Sequence, residues 1–426
     1  MKEEILKALL DWNPWFTGRF PAELRGFTRD YPILDYVKLN EIKIVEGARR
    51  VGKSTLFYQV IEHLLKENHQ VLYINFDDEE LRNHSLKTIM NTFAEKQTFD
   101  CLFVDEIQHC EEWVHHLRNI YDRKELKQIW ISGSNSKLIK KEFKTLLSGR
   151  NITLSVYPLS FNEYLRFKEC DFSAHKISTE KEIEIKRHFE NYLRLGSFPA
   201  IALREVLQKE LLINYFEDFI YKDIAARYSV NTSKLKDLGI YLATHSAKIF
   251  SYRNIARALD MHVNTVIDYV SYYEEIFLFD EVYKFDYSLK TQFGSDKKTY
   301  CLDTGIAAAV SFRFSSDRGR LLENLVYNEL KRRGHEIYFH KHNKECDFLV
   351  KENLEITQVI QICDHLDYPE TKYREIQGLI DALSQHTEAK GLILTADESS
   401  QETIIIEGKP YLIDIIPIWR WLVQRS

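Results

Sequence analysis

The chain has 426 residues, of which 44% are hydrophobic and 13% aromatic, enough to build several buried cores. Its formal net charge of −6 argues against a protein whose whole surface is basic, and its six cysteines form no C-x-x-C pair of the kind that zinc knuckles use. No stretch approaches the roughly eighteen apolar residues of a membrane-spanning helix, so we expect a cytoplasmic protein with no membrane partner.

A phosphate-binding loop is the first motif along the chain. Residues 47–55 match the pattern G-x-x-x-x-G-K-[ST], and they lie between an apolar strand pattern over 42–45 and a helical pattern over 56–65. In this order the backbone amides surround a triphosphate, the lysine reaches its β- and γ-phosphates, and the serine can ligate Mg²⁺. The motif therefore predicts ATP and Mg²⁺ as cofactors, bound by Gly47, Ala48, Arg49, Arg50, Val51, Gly52, Lys53, Ser54 and Thr55.

Two acidic residues follow an apolar strand pattern over 99–104. Asp105 is predicted to hold Mg²⁺ beside Ser54, and Glu106 to orient or deprotonate the attacking water. The next strand, predicted over 128–132, leads to Ser134 and Asn135. These two residues either sense the γ-phosphate or cap the helix that follows, and the sequence leaves both interpretations open.

Strands and helices alternate through this half of the chain, which is typical of an α/β fold with a parallel sheet and a ligand at the carboxyl ends of its strands. The motifs resemble those of a family of AAA-type ATPases from archaea and bacteria that carry a long C-terminal region of poorly defined function. The segments that carry the resemblance are 47–55, 104–108, 132–136, 148–150 and 157–161, with 13–15 and 29–31 as a similar lead-in.

The resemblance implies that Arg150 reaches the γ-phosphate of a neighbouring subunit, so that a homo-oligomer is needed for turnover. The alternative is that Arg150 pairs with a local carboxylate. Helical patterns after residue 161 resemble the lid of an AAA-type module.

A winged helix is predicted from residue 246 onward. It consists of helices over 252–259 and 263–275 and a wing hairpin whose strands cover 276–279 and 282–285. The second helix contains no lysine or arginine, which favours a packing or protein-contact role over the reading of DNA.

The C-terminal pattern of helix, strands, helix and strand resembles the restriction-endonuclease-like, PD-(D/E)xK-type fold. That fold binds Mg²⁺ with a helix glutamate, a strand aspartate and an E-x-K motif, and the matching positions here are Glu323, Asp347 and Gln361. Cys363 stands where the lysine is expected, with Arg374 a candidate substitute. The loss of one carboxylate and one ammonium predicts a degenerate centre with weak or no cleavage.

The sequence thus predicts five domains. It predicts an ATPase that couples MgATP hydrolysis to movement of its appended domains in a DNA-linked task. The domains are a lead-in (1–37), a P-loop AAA-type core (38–160), a helical lid (161–245), a winged helix (246–298) and a nuclease-like α/β domain (299–426). Two alternatives stay open, an ATP-dependent DNA nuclease and a nucleotide-gated switch or scaffold that binds a protein. DNA and a protein are therefore candidate partners beside ATP.

Overall fold

The computed structural model describes residues 2–135, 147–170, 177–311, 318–406 and 408–424. The chain divides into two compact units, the first made of residues 1–157 with 275–277 and the second of residues 158–274 with 278–426. Across the described ranges, none of the helices has the length and apolarity that crossing a membrane requires.

The first unit is built on a five-stranded parallel sheet in the order β2-β3-β4-β1-β5, which confirms the predicted α/β core. Almost every residue of β1 to β4 is buried, as expected for parallel strands that helices cover on both faces. The strands are β1 Ile42–Glu46, β2 Val71–Asn75, β3 Cys101–Asp105, β4 Gln128–Gly133 and β5 Asn151–Ser155.

Helices cover both faces of this sheet. They are α1 Lys2–Trp12, α2 Ala22–Arg25, α3 Ile33–Val37, α4 Lys53–Lys66, α5 Glu79–Arg82, α6 Leu86–Ala94 and α7 Trp113–Asp122. Apolar residues of α1, α6 and α7 form one core cluster with β1 to β4. On the other face Phe57 of α4 packs edge-on against Phe103 at 5.2 Å, and Phe103 stacks on Trp130 at 5.7 Å.

The second unit begins with a helical region. Its helices before the first strand are α8 Phe161–Phe167, α9 Thr179–Leu195, α10 Pro199–Ala202, α11 Gln208–Asp218, a π-helical segment Phe219–Ala225, and α12 Thr232–Thr244. Helix α8 begins with a capping box in which Ser160 and Glu163 each accept a backbone amide of the other.

A three-stranded antiparallel sheet follows, in the order β6-β8-β7, with helices α13 Tyr252–Ala258, α14 Val263–Glu275 and α15 Leu289–Gly294 between its strands. The strands are β6 Ile249–Phe250, β7 Phe279–Tyr283 and β8 Lys297–Cys301. The predicted wing hairpin was wrong. Its two segments contribute to one strand, β7, whose partner β8 lies some fifteen residues further on because α15 intervenes. The boundary predicted between residues 298 and 299 falls inside β8.

The last part of the chain forms a six-stranded mixed sheet in the order β13-β14-β12-β11-β10-β9. The strands are β9 Glu336–Lys341, β10 Glu345–Glu352, β11 Glu355–Ile362, β12 Lys390–Thr395, β13 Ser400–Ile406 and β14 Lys409–Pro417. The helices of this part are α16 Thr304–Val310, α17 Arg318–Arg332, α18 Pro369–Gln385 and α19 Ile418–Val423. The order from α17 to β12 agrees with the predicted pattern, whereas the hairpin β13–β14 was not predicted.

Candidate functional site

The loop between β1 and α4 needs glycine at two positions. Gly47 has a φ of +152°, and a β-carbon there would lie 2.2 Å from the carbonyl oxygen of Val156. Gly52 has a φ of +100° and directly precedes α4, which begins at Lys53. Both values lie in a region that side chains rarely allow. The first backbone amides of α4 have no partner within the helix, so this loop offers donors to an anion.

Lys53 holds its charge inside the loop. Its side chain is 4% exposed, and its Nζ donates to the carbonyl oxygens of Gly47 and Ala48 at 3.0 Å each. The same Nζ lies 3.6 Å from Oε1 of Glu106. The sheet order explains this meeting, because β1, β4 and β3 are neighbours and their carboxyl ends share one edge.

Residues of the lead-in (1–37) stabilise the phosphate-binding loop through side-chain hydrogen bonds. The buried Arg29 guanidinium donates to the carbonyl oxygens of Val51 at 2.7 Å and Tyr157 at 2.8 Å. The hydroxyl of Tyr31 accepts the backbone amide of Tyr157 at 2.9 Å. The segment 29–31, which the sequence marked only by resemblance, therefore ties the phosphate-binding loop to the end of β5.

Asp105 is fully buried among hydroxyl groups. Its Oδ2 accepts the Tyr73 hydroxyl at 2.8 Å, its Oδ1 accepts the Ser132 hydroxyl, and the Ser54 side chain also donates to it. Burial raises the pKa of Asp105, and the neighbouring Glu106 carboxylate raises it further. A carboxylate and the Ser54 hydroxyl are oxygen ligands of the kind that Mg²⁺ prefers, so these two residues fit the predicted cation.

Glu106 stands in a strained position. Its φ of +52° lies in the left-handed region, which costs on the order of 1 kcal/mol for a residue with a side chain and often marks a functional site. The side chain points to Ser134, whose hydroxyl donates to Oε2 at 3.2 Å. Burial would raise the pKa of Glu106, but the Lys53 charge and a hydrogen bond from Gln108 hold it below its ordinary value. This lowered pKa favours the ionised form of the Glu106 carboxylate.

Gln108 ends the motif 104–108, and the sequence predicts no role for it. Its Nε2 donates to Oε2 of Glu106 and, at 3.2 Å, to the Ser134 hydroxyl. Its Oε1 is buried and has no hydrogen-bond partner among the residues that the structure describes. The Gln108 amide thus positions the Glu106 carboxylate and places an unused acceptor oxygen next to it. The sequence could not show this contact, because the contact depends on the backbone turn at Glu106.

The remaining predicted site residues are placed as follows. Asn135 is fully buried directly after Ser134, and Ser136 lies outside the described residues. Arg150 donates through Nε to Asp122 at 2.8 Å, so within one chain it makes the local pairing that was the alternative to a role in a neighbouring subunit. The roles of Ser134, Asn135 and Arg150 stay predictions.

In the second unit the structure brings Glu323 and Asp347 together around a cation that the sequence did not reveal. The Lys298 ammonium of β8 donates to Oε1 of Glu323 at 2.8 Å and to Oδ1 of Asp347 at 3.0 Å, and it lies 2.9 Å from Oε1 of Glu345. The Tyr300 hydroxyl donates to the same Glu323 oxygen at 2.7 Å. Burial alone would lower the pKa of Lys298, but the surrounding acids raise it well above its ordinary value.

Gln361 joins this cluster through its amide. Its Oε1 accepts the backbone amide of Asp347 at 3.3 Å, and its Nε2 donates to Oε2 of Glu375 at 2.7 Å. Arg374, the candidate substitute for the missing lysine, donates to Oε1 of Glu375 at 2.6 Å. One signal for Lys298 was present in the sequence, since Lys298 and Tyr300 stand two apart on a strand and so share a face.

Comparison with protein families matches residues 39–165 to an AAA domain, which confirms the predicted AAA-type core. Residues 186–317 match a domain of unknown function (DUF8612). The uncharacterized protein MJ1544 of Methanocaldococcus jannaschii is 32% identical over 401 residues, covering 90% of this chain and 88% of that protein.

A second relative, an uncharacterized protein of Haemophilus influenzae, is 27% identical over 411 residues, covering 92% of this chain and 96% of that protein. Among solved structures, AMPPCP-bound DnaA from Aquifex aeolicus aligns with 60% of this chain and 92% of that chain, at 18% identity. Its TM-score of 0.29 is too low to show a shared fold. The winged-helix and nuclease-like assignments stay predictions.

Proposed function

The chain belongs to the same family as the uncharacterized protein MJ1544 of Methanocaldococcus jannaschii and carries an AAA domain, and on that premise we propose that it binds and hydrolyses MgATP at the loop 47–55. The observation that carries the proposal is the meeting of Lys53 and Glu106, with 3.6 Å between Nζ and Oε1, at the edge of the sheet where Asp105 also ends its strand. P-loop NTPases use a lysine at the phosphates, an aspartate that holds Mg²⁺ and a residue that orients the attacking water, and Lys53, Asp105 and Glu106 offer groups of these kinds.

Each group has a distinct task. The loop amides and the Lys53 ammonium bind the phosphate oxygens. Ser54 and Asp105 would hold Mg²⁺, which would offset the negative charge of the phosphate groups. Glu106, whose lowered pKa keeps the carboxylate ionised, accepts the proton of the attacking water. Ser134 and Gln108 keep that carboxylate in place.

Two substitutions test this proposal. Lys53→Ala is expected to abolish ATP retention, because it removes the ammonium from the loop. Glu106→Gln is expected to keep ATP bound while stopping hydrolysis, because the amide cannot accept the water's proton. Lys66→Ala is the matched control, since Lys66 ends the same helix and is exposed. ATP retention by Lys53→Ala at the level of this control, or hydrolysis by Glu106→Gln at the wild-type rate, would overturn the proposal.

We propose further that hydrolysis is coupled to movement of the second unit, in a DNA-linked task. The support is the resemblance stated above and the attachment of the winged-helix and nuclease-like segments to the ATPase core in one chain. Double-stranded DNA is expected to raise the rate of hydrolysis, and binding is expected to weaken with salt as phosphate contacts are lost. DNA that neither binds nor changes hydrolysis would refute this part and leave the ATPase proposal intact.

One observation favours a second candidate, a nucleotide-gated contact with a protein. The segment between β7 and β8 exposes three large apolar side chains, those of Tyr287, Leu289 and Phe293. Helix α14, which precedes β7, has no lysine or arginine to meet phosphates. If the partner is a protein, Tyr287→Ser with Phe293→Ser is expected to abolish its capture while DNA binding and hydrolysis stay unchanged.

A further inference from the structure

The Lys298 side chain is the centre of the acidic cluster in the second unit. It is 1% exposed, and its ammonium lies within 2.8 to 3.0 Å of carboxylate oxygens of Glu323, Glu345 and Asp347. These residues come from three elements, since Lys298 lies on β8, Glu323 on α17, and Glu345 and Asp347 two apart on β10. One ammonium thus joins the three-stranded sheet to a helix and to the six-stranded sheet.

The Mg²⁺ that the nuclease-like resemblance implies does not fit this arrangement. Mg²⁺ needs oxygen ligands at about 2.0–2.1 Å in octahedral geometry. Here the point that faces the three carboxylates is filled by an ammonium with no access to solvent. The second oxygen of Asp347 accepts the backbone amide of Ile362 at 3.0 Å, and Oε1 of Gln361 accepts that of Asp347 at 3.3 Å, so two more oxygens are also engaged.

Charge balance leads to the same result. A buried carboxylate without a cation is strongly destabilising, and so is a buried ammonium without an anion. Lys298 supplies a positive charge to the buried acids Glu323 and Asp347, and these acids supply the anions that its own buried ammonium needs. A divalent ion could enter only if the ammonium left, and the lysine would then have to reach water from a fully buried strand position.

We propose that Lys298 is the resident cation of this cluster, so that the folded chain binds no divalent metal there, and that removing the ammonium converts Glu323, Glu345 and Asp347 into a divalent-cation site. The cluster acts as a lock between elements of the second unit. It does not cleave phosphodiesters.

The test uses the full chain, stripped with EDTA and free of nucleotide, with Mn²⁺ as the probe and the melting temperature as the readout. The wild type and Asp347→Asn are expected to respond equally to millimolar Mn²⁺. Lys298→Met is expected to melt roughly 6 to 20 °C lower in EDTA, because it leaves the acids uncompensated. It should recover several degrees in Mn²⁺, and adding Asp347→Asn should abolish that recovery.

Three results would overturn the proposal. The first is a wild-type response to Mn²⁺ that Asp347→Asn removes, and the second is a folded Lys298→Met variant without any response. The third is Mn²⁺-dependent DNA cleavage by the wild type that Asp347→Asn abolishes. If Lys298→Met does not fold, the comparison of the wild type with Asp347→Asn still decides, because equal responses support the proposal and unequal ones refute it. None of these measurements depends on ATP hydrolysis.

Discussion

Replacing Gln108 by alanine tests whether the amide that contacts Glu106 positions the catalytic carboxylate. In the folded chain Gln108 donates to Oε2 of Glu106 and to the Ser134 hydroxyl at 3.2 Å. Burial raises the pKa of Glu106, and the charge of Lys53 lowers it. The hydrogen bond from Gln108 also lowers it, by less than the Lys53 charge does. Its loss should therefore misplace the carboxylate and make it harder to ionise.

The magnitude follows from the type of bond. A hydrogen bond to a charged group contributes about 1.5–3 kcal/mol. Its loss removes a contact that stabilises the ionised form, so the pKa of Glu106 is expected to rise. Since Glu106 acts as a base, activity falls as the pH drops through this pKa. The acid limb of the profile should therefore shift to higher pH.

The assay is steady-state ATP hydrolysis across pH, together with ATP affinity at one pH. We expect Gln108→Ala to lower kcat by roughly ten- to a hundredfold at neutral pH with little change in ATP affinity. Gln97→Ala, at an exposed position outside the site, is the matched control. An unmoved acid limb, or a rise in kcat, would refute the positioning role and indicate that Gln108 restrains Glu106 instead.

Three further predictions concern other parts of the chain. Asn13→Ala removes three buried hydrogen bonds of 2.7 Å and should lower the free energy of unfolding by roughly 3 kcal/mol. The control Trp15→Phe removes one hydrogen bond and should cost about 1 kcal/mol. Equal losses in a urea titration would contradict this. Arg150→Ala should lower turnover without weakening ATP binding, whereas Asp122→Ala should change little. Mixing Arg150→Ala with Lys53→Ala, which cannot bind nucleotide, should restore activity. A mixture without any gain would argue against an arginine that acts in a neighbouring subunit. Burial and neighbouring carboxylates raise the pKa of Glu274 from 4.5 to about 8. Between these pH values the folded state holds a proton that the unfolded state has released. The free energy of unfolding therefore falls as the pH rises from 4.5 to about 8. Glu274→Gln should therefore raise the melting temperature at pH 9 but not at pH 5, and an equal gain at both values would contradict this cause.

The sequence predicted the ATPase core well because its signals are local. The glycines around Lys53 and the apolar run before Asp105 each lie within a dozen residues, and their order along the chain implies that they meet at one edge of a parallel sheet. The strands β9 to β12 of the C-terminal sheet were also visible as apolar runs. The hairpin β13–β14 was not predicted, and in β14 prolines at the second and last positions weaken the strand pattern.

What the sequence could not predict depends on contacts between distant residues or on a single backbone angle. Lys298 meets Glu323 and Asp347 across 25 and 49 residues, and a lysine on a short strand would ordinarily be assigned to the solvent. Gln108 reaches Glu106 because the chain turns with a φ of +52° at the glutamate, which no residue pattern encodes. The role of Arg29 likewise becomes visible only from its hydrogen bonds to the carbonyl oxygens of Val51 and Tyr157.

The location of Lys298 on β8 limits where the chain can be cut. The strand pairs with β7 along its length and with β6 at Lys297 and Lys298, yet it carries the positive charge that the acids of α17 and β10 need. A fragment that starts at residue 299 would keep the acids and lose their neutralising partner, so it is expected to aggregate or refold poorly. Dissection of this protein into independently expressed pieces should therefore keep residues 158–424 together, because the helices before β6 share a hydrophobic core with the last part of the chain.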